Sequence, residues 1–230
     1  MRNLTLLSTT LALCALLATG AAQAGRPLVT ETADANAAGA CDAETSLTRV
    51  SERDAPSLRL WETVVACGIG HDTQLGAGYA RARSEGQTLQ ALSLGGKTNL
   101  VAPEDGRTGW GVAYGLDAAE APGRSLRLET LGLAALATRE LAPGLLGHAN
   151  LGLTYNRVDR KTRAQWSLGL ETAGDLVLAA DIYGEDRGRP TVSAGAGWTF
   201  GGGVSANLSY AVELERPRVK ALGLGLKLVF

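Results

Sequence analysis

The chain has 230 residues, and its 23 acidic against 22 basic side chains leave a net charge of −1, which excludes the basic balance of a nucleic-acid binder. Thirty glycines beside an aromatic content of 5% suit strands and turns better than the packed core of a soluble enzyme. Beyond the first two dozen residues, no apolar run is long enough for a helix to cross a bilayer.

Residues 1–24 carry a charged Arg2, an apolar run from Leu4 to Leu17, and small residues at Ala22 and Ala24. That is the pattern of a secretory signal peptide cut after Ala24. The run is short for a membrane anchor, and Cys14 follows Leu13 rather than the small residue a lipoprotein signal needs. Residues 25–40 are polar, small and aperiodic, and read as an extended N-terminal segment. Residues 41–230 form the third unit.

From Cys41 onward, runs of period two alternate with turn clusters. The runs lie near residues 41–50, 57–69, 73–83, 87–101, 107–117 and 125–139, then 144–156, 162–172, 175–184, 190–200, 203–214 and 219–230. The fourth alternates poorly. In "LLGHANLGLTYN" one face carries Ala149, Leu151, Leu153 and Tyr155, and the other His148, Asn150, Thr154 and Asn156. In the last run Leu222, Leu224, Leu226, Leu228 and Phe230 share a face opposite Gly223, Gly225 and Lys227. The connections alternate too: "ELAPG", "TAGD" and "FGGG" are tight, whereas "SERDAP", "DAAEAPG", "NRVDRKT", "GEDRGRP" and "LERPRV" are mostly longer and more charged.

These features predict an all-β fold, a transmembrane antiparallel up-and-down β-barrel of about 12 strands. A secreted soluble β-sandwich would hide its leucine-rich face and need bulky residues there. Here the opposite face carries Gly, Ala and mixed charge, so the leucines face lipid. No sheet edge can stay unpaired in hydrocarbon, so the last strand must close on the first. Both chain ends then lie on one side, which requires an even strand number. Trp198, Phe200 and Phe230 fall at that end, and Tyr155 and Trp166 toward the other, as two aromatic girdles.

The terminal "LGLGLKLVF" resembles the C-terminal signal of bacterial outer-membrane proteins. That resemblance implies a Gram-negative outer membrane, contact with its lipid, and reading of Phe230 by the barrel-assembly machinery. The segment "RPLVTETADANAAGACDAE" resembles the opening of putative outer-membrane transporters of the phenol meta-pathway type, with Arg26, Pro27, Leu28, Thr30, Glu31, Gly39 and Glu44 matching. It implies a transport role. The chain departs from that pattern by being shorter and by carrying Cys41.

Centring the first hairpin on Asp54 places Cys41 opposite Cys67, Leu47 opposite Trp61 and Ser46 opposite Glu62. In an oxidising compartment this predicts a Cys41–Cys67 disulfide. A metal or redox role is the alternative, and two cysteines without an adjacent histidine make a poor metal site. His148 and Asn150 share a face, as the His and Ser of outer-membrane lipid hydrolases do, but Asn cannot attack an ester. Ser167 could approach from the next strand. His71 reads as a turn residue.

The inward positions Arg127, Glu129, His148, Asn150, Arg163, Glu171, Asp181, Glu213 and Lys227 form the predicted lumen-facing, solute-facing set. They line a route for a small solute or an ion-pair network that plugs the lumen. Inward Gly109, Gly111, Ala113 and Gly115 leave space. A hairpin turning near Gly174 sets Arg163 diagonally close to Asp181, with Glu213 or Arg127 nearby. The functional expectation is a small channel or transporter-type barrel with no catalytic residue, metal or cofactor. The alternatives are a lipid-acting outer-membrane enzyme and a structural or surface-interaction barrel with a plugged lumen.

Overall fold

The computed structural model describes residues 27–103 and 106–230. The leader expectation, with its cleavage after Ala24, lies outside these residues. The strands are β1 (Cys41–Ser51), β2 (Leu58–Gly70), β3 (Thr73–Ser84), β4 (Gln87–Val101), β5 (Gly109–Ala121) and β6 (Arg124–Ala142). They continue as β7 (Leu145–Asn156), β8 (Lys161–Thr172), β9 (Leu176–Glu185), β10 (Thr191–Gly201), β11 (Val204–Glu213) and β12 (Lys220–Val229). Each pairs antiparallel with its neighbours, and β1 closes on β12 to complete a barrel. The poorly alternating fourth run is a strand, β4, with a register shift against β5 between Asn99 and Val101.

Closure runs to the last residue. Cys41 N donates to Phe230 O at 2.8 Å and Phe230 N donates to Cys41 O at 2.9 Å. Cys41 also pairs in register with Cys67, and the two form a disulfide. Both sulfurs lie on the outer face, at the rim that carries the chain termini. At the opposite rim the connections after β1, β7, β9 and β11 are loops of four to six residues, but those after β3 and β5 are two-residue turns, and the seven-residue β4–β5 connection lies at the terminal rim.

Leu47, Leu133, Leu151, Leu168, Leu208 and Leu224 are all more than half exposed on the outside of the wall. Such a surface is stable only against hydrocarbon. Inside, polar groups alternate with glycine and alanine. Near the loop rim of β1 to β3 the residue types exchange faces. Val50, Leu58, Leu60 and Ala82 point inward there and form a buried apolar cluster. Arg49, Arg59, Arg81 and Arg83 occupy the outward positions between them. A register shift in β6 leaves Glu129 bulged opposite the step from Asp117 to Ala118.

Candidate functional site

The lumen is occupied by the chain itself. Residues 27–40 enter it and run along the inner wall toward Cys41. Val29 N and Thr30 N donate to Asp181 Oδ2 on β9 at 2.6 and 3.0 Å, and Thr30 Oγ1 donates to the same oxygen at 3.2 Å. Ser193 on β10 hydrogen-bonds Asp181 Oδ1. The Asn150 amide on β7, with its nitrogen toward Glu31 O, donates there at 3.1 Å and accepts from Glu31 N at 3.1 Å. Lys97 Nζ on β4 pairs with Glu31 Oε2 at 3.1 Å. Ala33 N donates to Thr138 Oγ1 on β6 at 2.9 Å, and Asn36 N to Gln74 Oε1 on β3 at 2.8 Å. Ala38 then forms a parallel bridge with Gly68 on β2.

The wall is cut to admit this segment. A Cβ on Gly68 would strike Ala37 O, and one on Gly169 would stand 3.0 Å from Thr30 Cβ. Of the inward glycines that promised open space, Gly111 faces Ala33 O, which an added Cβ would approach to 3.0 Å, Gly109 faces Pro103, and Gly115 keeps its space. Thr30 and Ala33 are 0% exposed. Their backbone donors are satisfied by wall side chains, as buried N–H groups require.

His148 belongs to the same network. Its Nδ1 lies 3.0 Å from Thr138 Oγ1, and its Nε2 lies 3.4 Å from Glu171 Oε1. Thr138 Oγ1, which accepts from Ala33 N, thus joins the segment to the imidazole, whose other nitrogen faces Glu171. Thr138 is 2% exposed and His148 4% exposed, so this Thr–His–Glu alignment is buried. Ser167 pairs in register with Asn150 and points inward, while the imidazole contacts Thr138 and Glu171.

The remaining predicted residues fall into separate places. Lys227 on β12 reaches Glu44 Oε1 at 2.7 Å and Asp42 Oδ2 at 3.0 Å on β1. Toward the loop rim, Arg163 pairs with Glu185 at 2.9 Å, Arg127 Nε lies 3.6 Å from Glu129 Oε1, and Arg189 Nη1 lies 3.7 Å from Glu213 Oε2. The expected cluster of Arg163 with Asp181 does not form. The register of β8 and β9 sets Gln165 opposite Glu185 and Gly169 opposite Asp181, which puts Arg163 within reach of Glu185 instead. Asp181 is committed to the N-terminal segment.

Sequence reasoning missed Glu31, Lys97, Thr138, Asp42 and Glu44 as lumen groups. The signal for Lys97 was available, since it shares parity with Ser93 and Gly95 in β4. Above the segment a vestibule of about 410 Å³ opens at the loop rim, lined by Val50, Arg163, Tyr183, Arg189, Glu213 and Val219, with Val29 also on its lining. A second cavity of about 90 Å³ shares Val29 and Tyr183 with it and adds Glu31, Asn150, Gln165 and Ser167.

The family model described as "Uncharacterised conserved protein UCP029691" matches residues 12–225. The chain belongs to that family. No curated protein matches. Among solved structures, the chain is similar to a COG4313 outer membrane channel from Pseudomonas putida F1, at 11% identity and a TM-score of 0.61, covering 86% of this chain and 97% of that one. It is similar to the KdgM porin at 5% identity and a TM-score of 0.59, covering 81% and 99%. It is also similar to outer membrane phospholipase A from Escherichia coli at 14% identity and a TM-score of 0.52, covering 93% and 96%. At such identities the likeness is one of fold, and that fold is the outer-membrane β-barrel.

Proposed function

We propose that this member of the family is an outer-membrane channel-type barrel for small solutes, closed in the conformation described here by residues 27–40. The carrying observation is how the segment is held. It is fixed by hydrogen bonds from its backbone to side chains of the wall, with Leu28 and Ala33 as its buried apolar side chains. Polar anchors of this kind can be exchanged for water when the segment leaves, whereas a folded apolar plug could not leave cheaply. The porin and channel neighbours support the same reading. The finer assignment to transporters of the phenol meta-pathway type belongs to this proposal and rests on the N-terminal resemblance.

The lumen's field narrows the solute class. Below the ion pairs of the loop rim, the wall carries Asp42, Glu44, Glu62, Asp117, Glu171 and Asp181, and the segment adds Glu31. The bases at that depth among the described residues are Lys97, Lys227 and His148. A carboxylate excess favours small cations or neutral solutes over anions. Planar-bilayer conductance of the purified protein, with and without residues 28–36, tests the proposal. Low conductance that rises on deletion, with a cation-selective reversal potential, is expected. Silence in both forms would sink the channel reading. The lipid-enzyme alternative fares poorly here because the hydroxyl aligned with His148 is buried beneath Ala33. Labelling by a serine- or threonine-directed probe that is lost in His148→Ala would restore it.

A further inference from the structure

On the outer wall near the loop rim, β1, β2 and β3 bring arginines side by side. Arg49 is the register partner of Arg59, and Arg59 is in turn the partner of Arg83. Arg81 lies two residues from Arg83 on the same face, opposite Trp61. All four arginines are exposed, and none has an ion pair or hydrogen bond to a described residue. Like charges directly opposite each other across strands repel and destabilise a sheet. A row of three with no carboxylate between them calls for an external anion.

The surroundings fix the depth of the row. Toward the middle of the barrel on the same face stand Trp61 and Tyr79, packed edge to face with centroids 5.6 Å apart, the pair expected where hydrocarbon gives way to headgroups. Across the wall lies the apolar cluster of Val50, Leu58, Leu60 and Ala82. Both faces therefore report that the outer surface has left the hydrocarbon at this level. Guanidinium groups bind phosphate bidentately, and adjacent register positions set neighbouring side chains roughly 5 Å apart, close enough for two arginines to share one phosphate.

We propose that Arg49, Arg59, Arg81 and Arg83 form a binding site for the phosphates of an outer-leaflet glycolipid of the lipopolysaccharide class. The loop rim faces that leaflet when both chain ends are periplasmic. The site is independent of the lumen and of the transport proposal.

The test uses the heat-induced gel-mobility shift of the folded protein in lipid-free detergent and after adding purified lipopolysaccharide, for wild type and Arg59→Gln/Arg83→Gln. Without lipid, the variant should unfold at the same or a higher temperature than wild type, because a like-charge contact is gone. With lipopolysaccharide, wild type should gain several degrees and the variant little. Native mass spectrometry should show the glycolipid retained by wild type and lost from the variant. Equal gains in both proteins would overturn the site. Full stabilisation by a dephosphorylated glycolipid would overturn the phosphate assignment. An equal gain from inorganic phosphate alone would overturn the lipid assignment, as would a wild-type dimer that the variant fails to form.

Discussion

Asp181→Ala isolates the strongest anchor of the luminal segment. One carboxylate oxygen accepts from two backbone donors, Val29 N at 2.6 Å and Thr30 N at 3.0 Å. Hydrogen bonds to a charged group contribute about 1.5–3 kcal/mol each, so the two together hold the segment by about 3–6 kcal/mol. At about 1.4 kcal/mol per factor of ten, their loss shifts the ratio of displaced to seated segment by roughly two to four decades. Asp181→Asn keeps one carbonyl acceptor and should shift it less. Single-channel recording reads the displaced fraction as open probability, and the gel-mobility shift reports whether the barrel itself survives. A cysteine placed at Ala33 adds a direct readout, because its reaction with an aqueous thiol reagent requires the segment to leave the wall. If Asp181→Ala leaves both open probability and thiol reactivity at the wild-type level, the anchoring argument is wrong.

Gly68→Val should act in the same direction from the other end of the segment, raising conductance, since the new side chain strikes Ala37 O; an unchanged trace would mean that the segment reroutes. Cys41 and Cys67 should resist thiol reagents until reduced, and Cys67→Ser should lower the unfolding temperature; the link spans a separation of 26 residues and contributes at most about 3.5 kcal/mol in the chain-entropy model, less where the ladder already restrains the hairpin. Removing Phe230 deletes two backbone hydrogen bonds to Cys41 and should reduce assembly in membranes, which the yield of heat-modifiable protein measures. Arg163→Ala should cost about 1–3 kcal/mol, because it leaves the Glu185 carboxylate, with a side chain 10% exposed, without its partner at 2.9 Å, and should move ion selectivity toward cations in reversal-potential measurements.

The barrel was legible because its rule is local. A strand facing lipid on one side must alternate, and Leu222 through Leu228 does so without interruption. The cysteine pair was legible because one hairpin centre fixes every partner in it. The β8–β9 hairpin shows the limit of that argument. Placing its turn at Gly174, where the observed pairing centres on Asp175, moves every partner along β9 and sends Arg163 to the wrong carboxylate. Residues 27–40 were legible as extended but not as luminal. A segment touching β9, β8, β7, β4, β6, β3 and β2 has no single environment, so it carries no periodicity to read. The trace it leaves is on the wall instead, in inward glycines such as Gly68 and Gly169, which from sequence alone look like empty space.

The segment is continuous with β1, and its junction lies at a residue linked twice to the barrel, by a disulfide to Cys67 and by backbone bonds to Phe230. A blocker of this kind is on a leash. Released as a flexible chain, fourteen residues from 27 to 40 would wander a root-mean-square distance of roughly 20 Å from their anchor. The freed segment would therefore face its own seat at an effective concentration on the order of millimolar, whatever the density of protein in the membrane. Openings should be brief, first-order in their closing, and indifferent to soluble peptide of the same sequence.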